Sequence, residues 1–351
     1  MKNRILFGFA LVALVTCSAF SQTYVTQVKP AGGKLWGYAN LKGELIIPAQ
    51  YEKCYRFSSD GYVPIFDTKG KEYYFINIKG EKLATDVSNY KLISAFGIDA
   101  EGFNSGMVPI RIGEKWGYLN KSGKVAVQPK YEDVTEFNGG YASAKSGSTY
   151  YVVDANGQEF KVETSGVVDT KHFSENLAPF KTADKKFGFI DVHGKTAIAA
   201  QFESVGYFVN RMAWAKTAGG QLGYINAKGE WVIKPQFQAG RDFDAESGLA
   251  RIKSGDRWAY VTMTGEIVNV NDTQTWGDFS EGLADGKKGE LKGFYNNKGE
   301  WVIKPQFEGV RDFRNGYAAA KQGGKWGVID KKGNWVIKPS FDGIRDMELV
   351  N

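Results

Sequence analysis

A short turn motif that recurs along the whole chain constrains the fold more than any other feature. A glycine closes each copy, and an Asn, Asp or Thr stands three residues before it. Successive glycines lie 34 to 43 residues apart, a spacing typical of units that bury their apolar faces only by stacking on neighbours. The motif occurs nine times, closed by Gly43, Gly80, Gly123, Gly157, Gly194, Gly229, Gly265, Gly299 and Gly333.

The residues around each glycine predict a β-hairpin. Asn or Asp is preferred at the first position of a type I turn, and glycine tolerates the positive φ that such hairpins need at their end. Aromatic and apolar residues alternate on both sides, as in residues 115–120 before one turn and 300–305 after another. We therefore predict a strand A before each turn and a strand B after it. The Asn and Asp residues are interpreted as backbone caps, not as catalytic acids.

A third strand, C, precedes strand A and opens with a large and a small residue, as in Leu249-Ala250. Strand A begins with a large ring, and the glycine that often follows indicates that another backbone lies close over it. The sequence thus predicts an all-β chain of nine three-stranded antiparallel meanders. Structural core positions are assigned to the ring residues Trp36, Trp116, Trp258 and Trp326.

Several of these segments carry a family resemblance. The Trp-Gly pairs at 36–37, 116–117 and 326–327, with residues 279–284 and 302–305, are similar to the hallmarks of the WG repeat family. The resemblance covers nearly all of residues 22–351. It implies an all-β repeat array, often bacterial and often exported, with no shared catalytic activity.

Two arrangements of the units stay open. Propellers usually have four to eight blades of four strands, which nine three-stranded units fit poorly. The chain also shows whole units at both ends. We therefore favour an open, twisted β array, with a propeller-like closed ring as the alternative.

The first 21 residues read as a signal peptide. Lys2 and Arg4 precede an apolar stretch from Ile5 to Val15, and small residues follow at Ala19-Phe-Ser21. That stretch is too short to span a bilayer as a helix. We expect cleavage before Gln22, one continuous array over 22–351, and a periplasmic, cell-surface or secreted location. Lipidation at Cys17 is a further alternative.

Composition and spacing point away from several functions. Without the leader, 45 − 2 = 43 cationic side chains face 39 acidic ones, a net charge of +4. The lysines are scattered through the repeats, whereas nucleic-acid binding calls for a clustered basic face. His172 and His193 occupy unrelated positions without metal-ligand spacing, and Cys54 has no basic partner nearby in sequence. We predict no catalytic residue, metal or cofactor, and no transmembrane segment after cleavage.

The remaining features suggest binding. Three Arg-Asp pairs (241–242, 311–312 and 345–346) recur in one loop position and are predicted to bridge neighbouring units. Trp214 stands where other units carry Ser143, Pro179, Asp285 or Ala319; such tolerance predicts a solvent-facing position, and hence a ligand contact at Trp214. We favour an exported, non-enzymatic protein that presents an extended surface to a protein or cell-envelope partner. Alternatives are a glycan-binding module using exposed rings, and a hydrolase with its site within 81–105 or 158–172.

Overall fold

The computed structural model describes residues 23–94, 100 and 102–350, and every regular element in that part of the chain is a strand. The predicted signal peptide and Cys17 lie outside the described residues. The strands are β1 (Thr23–Pro30), β2 (Trp36–Ala39), β3 (Leu45–Tyr51), β4 (Tyr62–Asp67), β5 (Glu72–Asn77), β6 (Met107–Ile112), β7 (Lys115–Asn120), β8 (Val125–Tyr131), β9 (Asp133–Val134), β10 (Tyr141–Ser146), β11 (Thr149–Asp154), β12 (Glu159–Lys161), β13 (Val167–Thr170), β14 (Leu177–Thr182), β15 (Phe187–Asp191), β16 (Thr196–Phe202), β17 (Ser204–Val205), β18 (Ala213–Lys216), β19 (Leu222–Ile225), β20 (Trp231–Phe237), β21 (Ala239–Gly240), β22 (Leu249–Ser254), β23 (Arg257–Thr262), β24 (Ile267–Val268), β25 (Ala284–Lys288), β26 (Leu291–Tyr295), β27 (Trp301–Phe307), β28 (Gly309–Val310), β29 (Tyr317–Gln322), β30 (Lys325–Asp330) and β31 (Trp335–Val350).

The turn motif adopts the predicted geometry at all nine positions. Each closing glycine has a φ between +76° and +92°. Its N–H donates to the carbonyl three residues earlier at 2.9–3.0 Å. The side chain at that earlier position caps the turn; Asn226 Oδ1, for example, accepts from the N–H groups of Lys228 and Glu230 at 2.9 and 3.1 Å. Thr262 performs the same task with its hydroxyl, which accepts from the Glu266 N–H at 3.0 Å.

Strands C, A and B form small antiparallel sheets, as predicted, except in the second unit, where β4 and β5 form a two-stranded sheet. In the unit of Gly229 these are β18, β19 and β20, and Trp214 lies opposite Tyr224 across the first pair. A feature that the sequence did not predict is a short leading strand, here β17, which pairs with the end of strand C. It arises because the chain stays extended after strand B and reaches the sheet of the next unit. We call the segment between strand B of one unit and strand C of the next the connecting loop.

The glycine inside strand A is explained by a close backbone approach, as predicted. A Cβ atom on Gly117 would lie 2.4 Å from the carbonyl oxygen of Val127, and one on Gly223 would lie equally close to that of Ile233. The rings at the start of strand A (Trp36, Trp116, Trp258 and Trp326) are half-buried at the rim of the core. The ring two residues later is fully buried, as at Tyr38, Tyr118 and Tyr260.

Neighbouring units meet through the turn glycines. A Cβ on Gly229 would lie 2.8 Å from Cγ2 of Ile198 in strand B of the preceding unit, and Gly333 faces Ile303 in the same way. Gly43, in the first unit, faces Ile337 in the last one, with 3.0 Å to its Cγ2. The contact between first and last units therefore repeats the contact between consecutive units.

The terminal strands join the two ends of the array. The first part of β31 pairs with β30, and the rest pairs antiparallel with β1, from Pro30 opposite Phe341 to Thr23 opposite Val350. One seven-stranded sheet results, in the order β28-β29-β30-β31-β1-β2-β3. Of the two predicted arrangements, this pairing corresponds to the closed ring and not to the favoured open array. The last strand supplies the first unit with the leading strand that it would otherwise lack.

Candidate binding surfaces

Most connecting loops contain a buried phenylalanine, and the last one has Met347 in its place. In eight loops the residue directly before this position provides one side chain in an equivalent place. Buried tyrosines of strand A position these loops: the hydroxyl groups of Tyr38, Tyr118 and Tyr224 donate to loop carbonyls 17 residues on, at 2.9–3.0 Å. Adjacent loops also contact each other directly, since Ser280 Oγ donates to the backbone carbonyl of Phe313 at 2.7 Å. We define the loop row as Arg56, Glu136, His172, Tyr207, Asp242, Asp278, Asp312 and Asp346.

Arginine side chains bridge one part of the loop row. Asp346 Oδ2 lies 2.8 Å from the guanidinium of Arg56 and 3.2 Å from that of Arg314, and its other oxygen lies 3.8 Å from Arg311. Arg311 and Asp346 come from two of the recurring Arg-Asp pairs, so at this position the pairs bridge units as predicted. The ends of the array meet here too, because Arg56 and Asp346 are 290 residues apart in sequence.

Another part of the loop row is acidic. Burial raises the pKa of Asp242, and the neighbouring Asp278 adds to the rise while Arg241 opposes it. Burial also raises the pKa of Asp312, and nearby carboxylates, including Asp278, add to that rise. Asp278 itself is compensated by Arg251, whose Nε lies 2.8 Å from its carboxylate. The acidic part can therefore accept cationic groups.

His172 lies in the same row, between an acidic side chain and an aromatic ring. Its Nδ1 is 3.1 Å from a Glu136 oxygen, and its ring stacks on Tyr207 with centroids 3.8 Å apart. Burial lowers the pKa of His172, and Lys171 adds to this while Glu136 opposes it. His193 is remote from this pair; it lies in a turn, where its ring contacts Phe160.

A second row lies at the opposite end of the C strands, where each strand ends before its turn into strand A. Eight of its nine residues are Lys or Arg, and all eight are half-buried. In four units the cation lies over a ring of strand A, 5.5–5.6 Å from its centroid. We define the strand-end row as Lys29, Phe66, Arg111, Lys145, Lys181, Lys216, Lys253, Lys287 and Lys321. Its signal in the sequence is a basic residue just before the turn glycine of the C–A hairpin.

Trp214 is less exposed than its predicted solvent-facing position implies. The ring is half-buried, packs partly against a core cluster, and its Nε1 would be 2.2 Å from a Cβ on Gly206. The equivalent side chains of Ser143, Pro179 and Ala319 are buried. The position varies because the leading strand and the neighbouring unit cover it differently, not because it is free. A ligand contact at Trp214 stays a prediction.

The turn carboxylates are engaged with backbone groups and do not converge. Asp154, Asp191 and Asp330 each accept N–H groups of their own turns. In the part of the chain that the structure describes, no group of three or more His, Cys, Asp or Glu side chains could hold a metal ion. Burial raises the pKa of the Cys54 thiol to about 12, as expected for a cysteine that packs against the core. Among the described residues, no helix is long and apolar enough to cross a membrane.

Sequence comparison identifies the family. The family described as WG containing repeat matches six segments, 36–71, 116–150, 187–220, 223–258, 293–326 and 326–348, which together make up more than half of the chain. The chain therefore belongs to this family, and membership indicates a repeat-based binding protein. No curated protein sequence matches the chain significantly.

A solved structure supports the fold assignment. The crystal structure of a eukaryotic initiation factor superposes with a TM-score of 0.60 at 12% identity, covering 94% of this chain and 98% of that one. The computationally designed Ika8 protein gives a TM-score of 0.42 at 12% identity, with 80% and 93% of the two chains covered. Apo AztD from Citrobacter koseri also gives 0.42, at 11% identity, with 93% and 98% covered. At 12% identity, the similarity to the initiation factor concerns the fold alone.

Proposed function

We propose that this chain is an exported, non-enzymatic protein whose repeat array presents extended charged surfaces to a protein or cell-envelope partner. The observation that carries the proposal is the contrast between fixed and variable positions. Turn glycines, caps and buried tyrosines repeat from unit to unit, whereas the loop row changes from Arg to Glu, His, Tyr and Asp on the same frame. Variable side chains on a constant repeat frame are how repeat proteins build extended binding surfaces.

The absence of enzymatic activity is part of the proposal. The turn carboxylates hold backbone groups, the Cys54 thiol has a raised pKa that disfavours a nucleophilic thiolate, and His172 packs between Glu136 and Tyr207. These arrangements support structural roles for the side chains that could otherwise carry acid–base or nucleophilic chemistry.

Export is proposed from the leader-like residues 1–21. Expression of the full-length gene in a Gram-negative host, fractionation and intact-mass measurement would test it. We expect a product that begins at Gln22 outside the cytoplasm. A product retaining residues 1–21 in the cytoplasm would contradict export.

Binding is tested by capture from a cell-envelope extract with paired charge variants. Asp242→Asn with Asp312→Asn removes two acidic side chains from the loop row. Lys216→Gln with Lys321→Gln removes two cations from the strand-end row. Asp256→Asn with Glu114→Gln is the control, because both are exposed turn residues outside the two rows. We expect that a component captured by the unmodified chain is no longer captured by one of the two row variants, and that the control variant still captures it. Equal capture by all three variants would contradict binding through these surfaces.

A further inference from the structure

A pocket of 380 Å³ lies between the second and third units, at the end of the strands that carries the strand-end row. Phe66 and Tyr73, opposite each other on β4 and β5, form one wall. Arg111 and Trp116, opposite each other on β6 and β7, form the other. The segment that begins at Tyr90 lies between them. The Lys91 N–H donates to the Arg111 carbonyl at 2.9 Å, and the Arg111 N–H donates to the Lys91 carbonyl at 2.8 Å. The volume falls in the usual range of small-ligand sites, about 300–1,000 Å³.

One wall breaks the pattern of the repeat. Phe66 is the single residue of the strand-end row that is not a cation, and 39% of its surface is exposed. Its ring contacts Tyr73 with centroids 5.0 Å apart, so two adjacent rings border the pocket on this side. The other units place a lysine or arginine in this position. The second unit instead offers an apolar ring face.

The other wall and the rim are cationic. The Arg111 guanidinium lies 5.5 Å from the centroid of the Trp116 ring, and its Nε is buried without a hydrogen-bond acceptor in the described structure. Lys71 and Lys91 also border the pocket, and among the described residues no Asp or Glu lines it. The pocket therefore favours an anion.

Rings and cations together specify the ligand more closely than either does alone. A phosphate or acetate ion would use the cations but not the apolar faces, and a neutral sugar would leave Lys71, Lys91 and Arg111 without a counter-charge. We propose that this pocket binds a carboxylated sugar unit of an acidic glycan. The C–H face of the sugar packs on Phe66 and Trp116, and its carboxylate accepts hydrogen bonds from Arg111, a planar donor suited to carboxylates. This site goes beyond the proposed partner surface and does not depend on it.

Titration calorimetry on the mature chain with trigalacturonic acid tests the proposal, with maltotriose, acetate, inorganic phosphate and adenosine monophosphate as comparison ligands. We expect binding of trigalacturonic acid that weakens with added salt and exceeds that of every comparison ligand. Equal or stronger binding of maltotriose, of the small anions or of the nucleotide would overturn the proposal, as would no binding of trigalacturonic acid.

Two variants place the ligand in the pocket. Phe66→Lys installs the residue type that most other units carry, and Arg111→Gln removes the charge; each is expected to lower affinity about tenfold or more. Lys181→Gln is the matched control, since Lys181 occupies the same row position over Phe187 and is outside this pocket. If Phe66→Lys lowers the thermal midpoint of unfolding, a loss of affinity in that variant could reflect misfolding. The test of the site then depends on the affinities of Arg111→Gln and Lys91→Gln. Unchanged affinity in the decisive variants would refute the site.

Discussion

At the scale of single residues, the same side chain has different roles in equivalent places. Asp346 is surrounded by arginines, the nearest at 2.8 Å, whereas Asp312 is surrounded by other carboxylates. The sequence predicted the first role, because an Arg-Asp pair recurs in three loops. It did not predict the second, because the carboxylates near Asp312 come from different loops, and nothing in a linear pattern shows which loops converge.

The stability effect of Asp312 is expected to depend on pH. Burial and then the neighbouring carboxylates raise its pKa in the folded state, so folding favours the protonated form. The ionised side chain therefore destabilises the fold at neutral pH, and this effect disappears as the pH falls below the unfolded pKa of about 3.9. Asp312→Asn should raise the thermal midpoint at pH 7 and have little effect near pH 3.

Asp342 provides the control with the opposite sign. The Lys325 ammonium and then the Gly32 N–H lower its pKa, so its ionised form stabilises the fold above the unfolded pKa. Asp342→Asn should lower the midpoint at pH 7, and the loss should shrink as the pH falls through the folded pKa. If thermal scans at the two pH values show both variants shifting the midpoint in the same direction, these charge assignments are wrong.

At the scale of strands and turns, local chemistry made the prediction possible. The spacing of Asn or Asp and glycine specifies the hairpin, since few residues accept a positive φ. The two-residue leading strands were missed because they have no pattern of their own and form only when the next unit is present. Trp214 was misplaced for a related reason: variation at a position was taken as exposure, but neighbouring elements cover it. Phe66 could have been found by aligning strand ends, where it alone replaces a cation.

A pair of glycine substitutions separates backbone strain from packing between units. Gly147→Ala strains only the turn, because φ is +59° and no atom lies within 4 Å of the new Cβ. We expect a loss of about 1–2 kcal/mol in the free energy of unfolding. Gly229→Ala has the same kind of strain, at φ +80°, and places its Cβ 2.8 Å from Ile198 of the preceding unit. It should cost roughly 1–3 kcal/mol more, as overpacking does. Equal losses in urea unfolding would show that the turn does not press on its neighbour.

At the scale of the whole molecule, the sequence predicted the repeating units but favoured the wrong connection between their ends. Both termini looked like complete units, so the open array seemed sufficient. The pairing of β1 with β31 joins residues more than 300 positions apart, and hydrophobic alternation does not encode which edge strand pairs with which. Closure is favoured because it removes two exposed sheet edges, which otherwise attract other chains.

The closure can be tested by linking the terminal strands covalently. Tyr24 and Leu349 lie directly opposite each other on β1 and β31, at the spacing of cross-strand neighbours. In a Cys54→Ala background, Tyr24→Cys with Leu349→Cys should oxidise to an intrachain disulfide, visible as two lost thiols and faster migration on a non-reducing gel. Because the closed loop exceeds 300 residues, chain entropy predicts stabilisation of roughly 5–6 kcal/mol that reduction reverses. Tyr24→Cys with Val302→Cys is the control, since Val302 is exposed on a strand that does not pair with β1. Two free thiols in the first variant under oxidising conditions would mean that the ends of the array are apart in solution.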